Sequence, residues 1–445
     1  MKIKKILFVF LVALIMRIVY AWFFVDASNL ILEDQMMYIQ LAQQYPSTGF
    51  LGVTSERVPG YPLLVSTIYN LFGENNMAVV MVQIFIDSLT CVIIGLIAES
   101  VISRGFLVAG LISALNLNMI VLSGMILTDT LFLFLFSLFI LFAFNYLKHP
   151  TRFRLFLGVS FLCFATLVRP VSYYLVFLLL PLLIAFFVWR GLSFKQAIHG
   201  LLIYIIPIVM VFGSIHYRNY IEYNSFSFVS QSGGHAIHWV VPGTYQYSGQ
   251  GSYQEGQAFA RDHIELAKST DGIDTISDNP FTNSAYHLKV TKGALIELGL
   301  LNVLHAWSVV SVINLLAPSV AYAPVVRAME YPFFYATLGD GAVEKLINYV
   351  TSSNGLTYLS IIVFGALISL FFLILSILGL YKMIEFWRLE KKNTEVILFA
   401  LFIVMYFLAI TGPVVGVKYR LPLEPIMALY ATYAVIYFLK NRINK

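Results

Sequence analysis

Apolar runs of about twenty residues recur along this chain, from Ile6 to Val25 at one end to the stretch 421–440 at the other. A run of that length crosses the hydrocarbon core of a bilayer as one helix. A chain holding many of them has few folds open to it. Lipid offers bare backbone N–H and C=O groups no partners, so each crossing must close its own hydrogen bonds as a helix. The runs are continuous rather than alternating, which excludes a transmembrane barrel. Composition agrees: 59% of the 445 residues are hydrophobic and 11% charged, against roughly half and a quarter in a soluble domain. The expected fold is an all-α integral membrane protein. It is a polytopic helical bundle of about ten or more transmembrane helices, with extracytoplasmic loops that carry short interfacial helices.

Spans are expected near 6–25, 78–98, 105–123, 128–147, 153–169, 171–189, 197–216, 356–381, 393–411 and 421–440. Short segments rich in Lys and Arg, including Lys148–Arg154, Arg190 with Lys195, Lys382–Lys392 and both chain ends, mark one side as cytoplasmic. Both termini then lie in the cytoplasm of a cell inner-membrane protein, and ten crossings satisfy the parity. The first helix reads as retained, because its apolar run is too long for a signal core and lacks a small-residue cleavage site. Three regions are expected: residues 1–216 as an N-terminal transmembrane module with a first outer loop over 26–77, residues 217–355 as an extracytoplasmic loop region, and 356–445 as C-terminal helices. The apolar stretch 300–318 would break the parity if it crossed alone, so it is expected to be interfacial or re-entrant. The net charge of +5 is spread over short loops and implies no nucleic acid. Cys91 and Cys163 fall inside apolar runs and read as small core residues.

Against this background the first outer loop stands out. It holds Glu33, Asp34 and Tyr38, then Arg57-Val58-Pro59-Gly60-Tyr61-Pro62. Asp34 and Tyr38 are one helical turn apart. Other polar groups gather at the same level: Asp129 at the outer end of the fourth span, Arg169 at the end of the fifth, Arg218 after the seventh, and Lys418, Tyr419 and Arg420 in the last outer loop. Thr128 and Asp129 could serve only to cap their helix, and each cation could pair with Glu33, Glu56, Glu222 or Glu424. Arginine beside outer helix ends runs against the usual charge bias, and several together suit a phosphate. A carboxylate that accepts a proton, beside cations that stabilise a leaving phosphate, outlines group transfer at the membrane surface.

These residues resemble the membrane glycosyltransferases of the C fold, in particular the bacterial branch related to dolichyl-phosphate-mannose protein mannosyltransferases and aminoarabinose transferases. The family's acid and tyrosine, followed by Arg-x-Pro-x-Tyr-Pro, stand here as Asp34, Tyr38 and Arg57 to Pro62. Its later acid stands in Thr128-Asp129-Thr130-Leu131-Phe132, and its Leu-x-Arg-Pro as Leu167-Val168-Arg169-Pro170. Its Arg-Asn and C-terminal Tyr-Arg-x-Pro stand as Arg218-Asn219 and Tyr419-Arg420-Leu421-Pro422. The second acid of the usual pair is replaced by Gln35. The resemblance implies inverting transfer of a hexosyl or pentosyl group from a polyprenyl-phosphate-linked donor to an acceptor at the extracytoplasmic face. Asp34 is the implied base. Asp129 is the implied orienting group for acceptor, donor or metal, and Tyr38, Arg57, Tyr61, Arg169, Arg218, Lys418, Tyr419 and Arg420 are the implied substrate-binding residues. No metal ligand is assigned and a divalent ion is left open as cofactor. The acceptor, whether lipid, glycan or protein, is not identified. A glycan polymerase or ligase, or a lipid or glycan transporter without chemistry, are the alternatives.

Two further expectations concern single residues. His235 and His238 lie three apart in a loop region without an evident third ligand, which disfavours zinc. Arg17 and Asp87 fall inside predicted spans, about 16 Å and about 14 Å from opposite edges of the hydrocarbon core at 1.5 Å per residue. In a core about 30 Å thick those depths coincide, so they are expected to form an ion pair hidden from lipid.

Overall fold

The structure, a computed structural model, describes residues 2–27, 33–49, 54–331, 337–390 and 393–443. The chain opens with α1 (Lys2–Phe24), α2 (Glu33–Thr48) and α3 (Gly60–Phe72). It continues through α4 (Asn76–Val101), α5 (Gly105–Ala114), α6 (Leu117–Ser123), α7 (Asp129–Lys148), α8 (Arg152–Val168), α9 (Tyr173–Trp189) and α10 (Phe194–Tyr223). Short polar side chains set the starts. Asn75, Thr151 and Ser193 each accept a hydrogen bond from a first-turn N–H of the helix that follows. The helix ends are less uniform: α10 stops at Asn224, which takes the left-handed conformation.

Among the described residues, seven helices can cross a membrane by length and composition, or up to nine if two bent pairs each count as one span. The protein is therefore a multi-pass membrane protein built of helices, with no strand among the described residues. All ten stretches expected to cross are helical. Two of them, α8 and α19 (Thr394–Ile410), have 17 residues each, close to 26 Å at 1.5 Å per residue. The long helix α18 (Gly355–Glu390) packs along α20 (Glu424–Ile443), which also meets α5. The buried core runs through α1, α4, α7, α8 and α20.

The third crossing is not straight. Helices α5 and α6 meet at 53°, with Asn116 capping α6 through the N–H groups of Asn118 and Met119. The break leaves carbonyls near the middle of the bundle, and Arg17 meets them. Its guanidinium donates to the Ala114 C=O and the Ala13 C=O, each at 3.1 Å, and to Asp87 Oδ2 at 2.6 Å. The expected ion pair is present and both side chains are buried. Arg17 therefore does two jobs. It neutralises Asp87 and satisfies backbone that lipid could not.

Residues expected to form a loop after α10 are mostly helical. They fold as α11 (Gln231–His235), a π-turn over Ala236–Val240, α12 (Val241–Tyr247), α13 (Tyr253–Asp271) and α14 (Pro280–Leu298), around a small core of Ile237, Val241, Ala260, Ile264, Val290 and Ala294. A capping box at Ser252 and Glu255 starts α13, and Asn279 with Pro280 starts α14. The apolar stretch 300–318 forms α15 (Leu300–Leu316), which bends by 100° from α14. That angle belongs to a broken span or a re-entrant loop. Helix α15 braces the loop ahead of α20. Asn314 donates to the Val414 C=O at 3.0 Å and accepts the Gly416 N–H at 2.9 Å.

Candidate active site

The site is assembled from segments far apart in sequence. Helix α2 is helical where Asp34 and Tyr38 sit, so both face the same way one turn apart. Helix α3 begins at Gly60, and the absence of a side chain there is required. A Cβ at Gly60 would stand 2.6 Å from the Leu167 carbonyl oxygen, at the end of α8. This close approach brings the Arg57 segment against Arg169.

Around Asp34 the partners are cationic. Lys418 Nζ lies 3.3 Å from Oδ2, and an Arg57 guanidinium nitrogen lies 3.8 Å from Oδ1. The Asp34 side chain stays 42% exposed, so the carboxylate is paired yet open to a ligand. Asp129 differs: it is buried and ion-paired with Arg169, whose guanidinium lies over the Phe132 ring at 5.7 Å. Thr128 makes no side-chain cap to α7, so the capping alternative does not hold for it. Tyr38 stands between the two pairs. Burial raises its hydroxyl pKa, and the charges of Arg57, Asp34, Arg169 and Asp129 all act on it. Tyr419 feels Arg169, Asp129 and Asp34 in the same way. Seven expected residues therefore converge: Asp34, Tyr38, Arg57, Asp129, Arg169, Lys418 and Tyr419. Three cations among them face two carboxylates, a surplus of positive charge suited to an anion.

Three expected site residues do not join them. Arg420 is 3% exposed and its guanidinium bonds to groups of the fold. It donates to Glu424 Oε1 at 2.8 Å and to the Leu315 C=O at 2.7 Å, while Glu424 also accepts from Asn116 and Asn118. Arg218 is buried and donates through two nitrogens to Asn219 Oδ1, whose amide nitrogen in turn holds the Ser227 and Phe228 carbonyls. Tyr61 is fully buried, with its hydroxyl on Gln83 Oε1 at 2.7 Å. Its ring supports Tyr38 edge-to-face at 5.1 Å. The role of Tyr61 is to fix Tyr38, and the two arginines fix loops that bound the site. The Glu33 side chain lies outside the described residues.

Two residues that sequence reasoning did not assign also face this cluster. His235 feels the charges of Lys418 and Arg57, and Tyr322 those of Lys418, Tyr419 and Asp129. Burial, then the two cations, push the His235 pKa down, so its ring is neutral near neutrality. The sequence marks His235 only by its spacing from His238 and marks Tyr322 not at all, because each reaches the site through tertiary packing.

No group of three or more His, Cys, Asp or Glu is found among the described residues. Asp34 and Asp129, the two carboxylates here, already hold cationic partners.

No family model and no curated protein matches the chain by sequence. Solved structures do. An archaeal oligosaccharyltransferase, AglB from Archaeoglobus fulgidus, in complex with an inhibitory peptide and a dolichol-phosphate, aligns with a TM-score of 0.52 at 13% identity. The alignment covers 99% of this chain and 50% of that one. The chain shares its fold with the aligned half of this oligosaccharyltransferase. ArnT from Cupriavidus metallidurans in the apo state aligns with a TM-score of 0.41 at 14% identity, over 98% of this chain and 78% of ArnT. The same enzyme bound to undecaprenyl phosphate aligns with a TM-score of 0.38 at 14% identity, over 96% and 77%. This chain spans about half the length of the AglB chain it matches.

Proposed function

We propose that this protein is a glycosyltransferase that moves a sugar from a polyprenyl-phosphate-linked donor to an acceptor at the extracytoplasmic face, with inversion at the anomeric carbon. The observation that carries the reading is the open Asp34 carboxylate held between Arg57 and Lys418, within a fold shared with an oligosaccharyltransferase whose structure holds a dolichol-phosphate. The donor phosphate binds where the three cations gather. The acceptor hydroxyl attacks the anomeric carbon as the bond from that carbon to the phosphate oxygen breaks. Asp34 takes the hydroxyl proton, and the electron pair of the broken bond leaves on the polyprenyl phosphate.

The resting pairing of Asp34 has a consequence. Two cations hold its carboxylate while the site is empty. A bound phosphate competes for Arg57 and Lys418, and in doing so loosens their hold on the carboxylate. The carboxylate is then free to meet the acceptor hydroxyl when donor is present. Asp129, fully paired with Arg169, holds that arginine in place toward the phosphate rather than exchanging protons.

Transfer of labelled sugar from a polyprenyl-phosphate donor by the purified protein in lipid vesicles tests the reading. Asp34→Asn is expected to bind donor and to lose transfer by about a hundredfold or more. Undiminished transfer by this variant would remove Asp34 as the base. Mass spectrometry of envelope glycans, lipids and proteins from cells lacking the gene would identify the acceptor, as the molecule that loses a sugar. The transport alternative gains no support from the polar groups. They lie at helix ends rather than in a midplane pathway, and the midplane pair Arg17 and Asp87 is closed by its partners.

A further inference from the structure

The helical turn after α10 is wedged between two parts of the site. On one side the Ser230 N–H donates to the Ser55 C=O at 2.9 Å, and the two hydroxyls are 3.1 Å apart. This ties the residue before α11 to the chain two positions ahead of Arg57. On the other side α12 presses on the loop that leads to Lys418: a Cβ at Gly243 would stand 2.0 Å from the Pro413 carbonyl oxygen, so only glycine fits. A third anchor joins α11 to α14, where the Gly233 N–H donates to Ser284 Oγ at 2.9 Å.

His235 ends α11 between these anchors. Its ring is partly buried, the cations acting on it are Arg57 and Lys418, and it has no hydrogen-bond partner among the described residues. The π-turn that follows it is a distortion that recurs at functional sites. Its ring nitrogens are not buried away from solvent, so they are open to a ligand that enters the site. What approaches the two cations beside it must be an anion.

On the reading that the site takes a phosphate-linked lipid, we propose that His235 is a further ligand of the donor phosphate beside the three cations, its ring N–H donating a hydrogen bond to a phosphate oxygen near Arg57 and Lys418. A neutral imidazole always keeps one N–H to donate. It adds a donor to the cradle without adding a further positive charge to the empty site.

The test is binding of a polyprenyl monophosphate and of the uncharged polyprenol to the purified full-length protein. His235→Ala is expected to weaken monophosphate binding about tenfold, the effect of losing one hydrogen bond to a charged group, and to leave polyprenol binding unchanged. His235→Asn, whose amide still donates, is expected to retain most of the affinity. His235→Phe carries the same expectation as alanine should that variant not fold. Unchanged monophosphate affinity in folded His235→Ala or His235→Phe overturns the inference. So does an equal loss in His238→Ala, an exposed neighbour three residues on. A wild-type protein that binds polyprenol as tightly as the monophosphate overturns instead the phosphate-donor reading on which the inference rests.

Discussion

Arg420 shows how a residue can be legible in type and misplaced in role. It lies four positions ahead of Glu424, the spacing that on a helix pairs two side chains, and the pair forms at 2.8 Å with both side chains buried. Sequence patterning finds the spacing but not the face. Here the face points into the bundle, where Asn116 and Asn118 of the broken third crossing complete the network. Removing one member of a buried pair strands the other charge and costs about 3–5 kcal/mol. Arg420→Met is therefore expected to lower the unfolding temperature and the folded yield, while donor affinity per folded molecule stays at the wild-type value. Thermal unfolding and donor binding on the same preparation separate the two effects. A tenfold loss of donor affinity with stability intact would return Arg420 to the site. Arg17 and Asp87 are the opposite case. Depth along two helices was enough to pair them, because a 1.5 Å rise and a fixed membrane thickness leave little freedom. The extra bonds of Arg17 to Ala13 and Ala114 were not legible, since they depend on where α5 breaks.

Among the elements, the unit from α11 to α14 is the one the sequence left as loop. Its helices have caps that can be read locally, such as Ser252 with Glu255, but its apolar core is small and its register with the bundle is set by contacts from Ser230, Gly233 and Gly243. It also carries a pH dependence. Burial lowers the pKa of His235, His238 and His287, helped at His287 by the nearby charge of His238, whose ring centroid is 5.6 Å away. A histidine with a depressed pKa in the folded state binds its proton more readily when unfolded. Stability is then full above the ordinary imidazole value of about 6.5 and falls as pH drops below it. The unit is expected to be cleaved faster by limited proteolysis at pH 5.5 than at pH 7.5, in the segment between α13 and α14. His287→Gln is expected to reduce that difference. An acid sensitivity unchanged in His287→Gln would assign the effect elsewhere.

Across the whole molecule, the topology determines which side the chemistry faces. Cys91 and Cys163 are buried, so an engineered cysteine meets a low background for an impermeant thiol reagent. Glu265→Cys, on exposed α13, is expected to label from outside intact cells, and Lys195→Cys only after the membrane is opened. The reverse pattern would invert the proposed orientation. From sequence alone came the membrane class, the helical crossings, and the grouping of Asp34, Tyr38, Arg57, Tyr61, Asp129, Arg169, Arg218, Lys418, Tyr419 and Arg420 at one level. These follow from run length, from the backbone's need for hydrogen bonds in lipid, and from charge in places where lipid disfavours it. Tertiary structure alone decided which of those side chains stay open and which are spent on the fold. A helix fixes a residue's height and its neighbours three and four positions away. Only the packing of one helix on another decides whether the space beside that residue holds a carbonyl, as at Arg420, or stays partly open, as at Asp34.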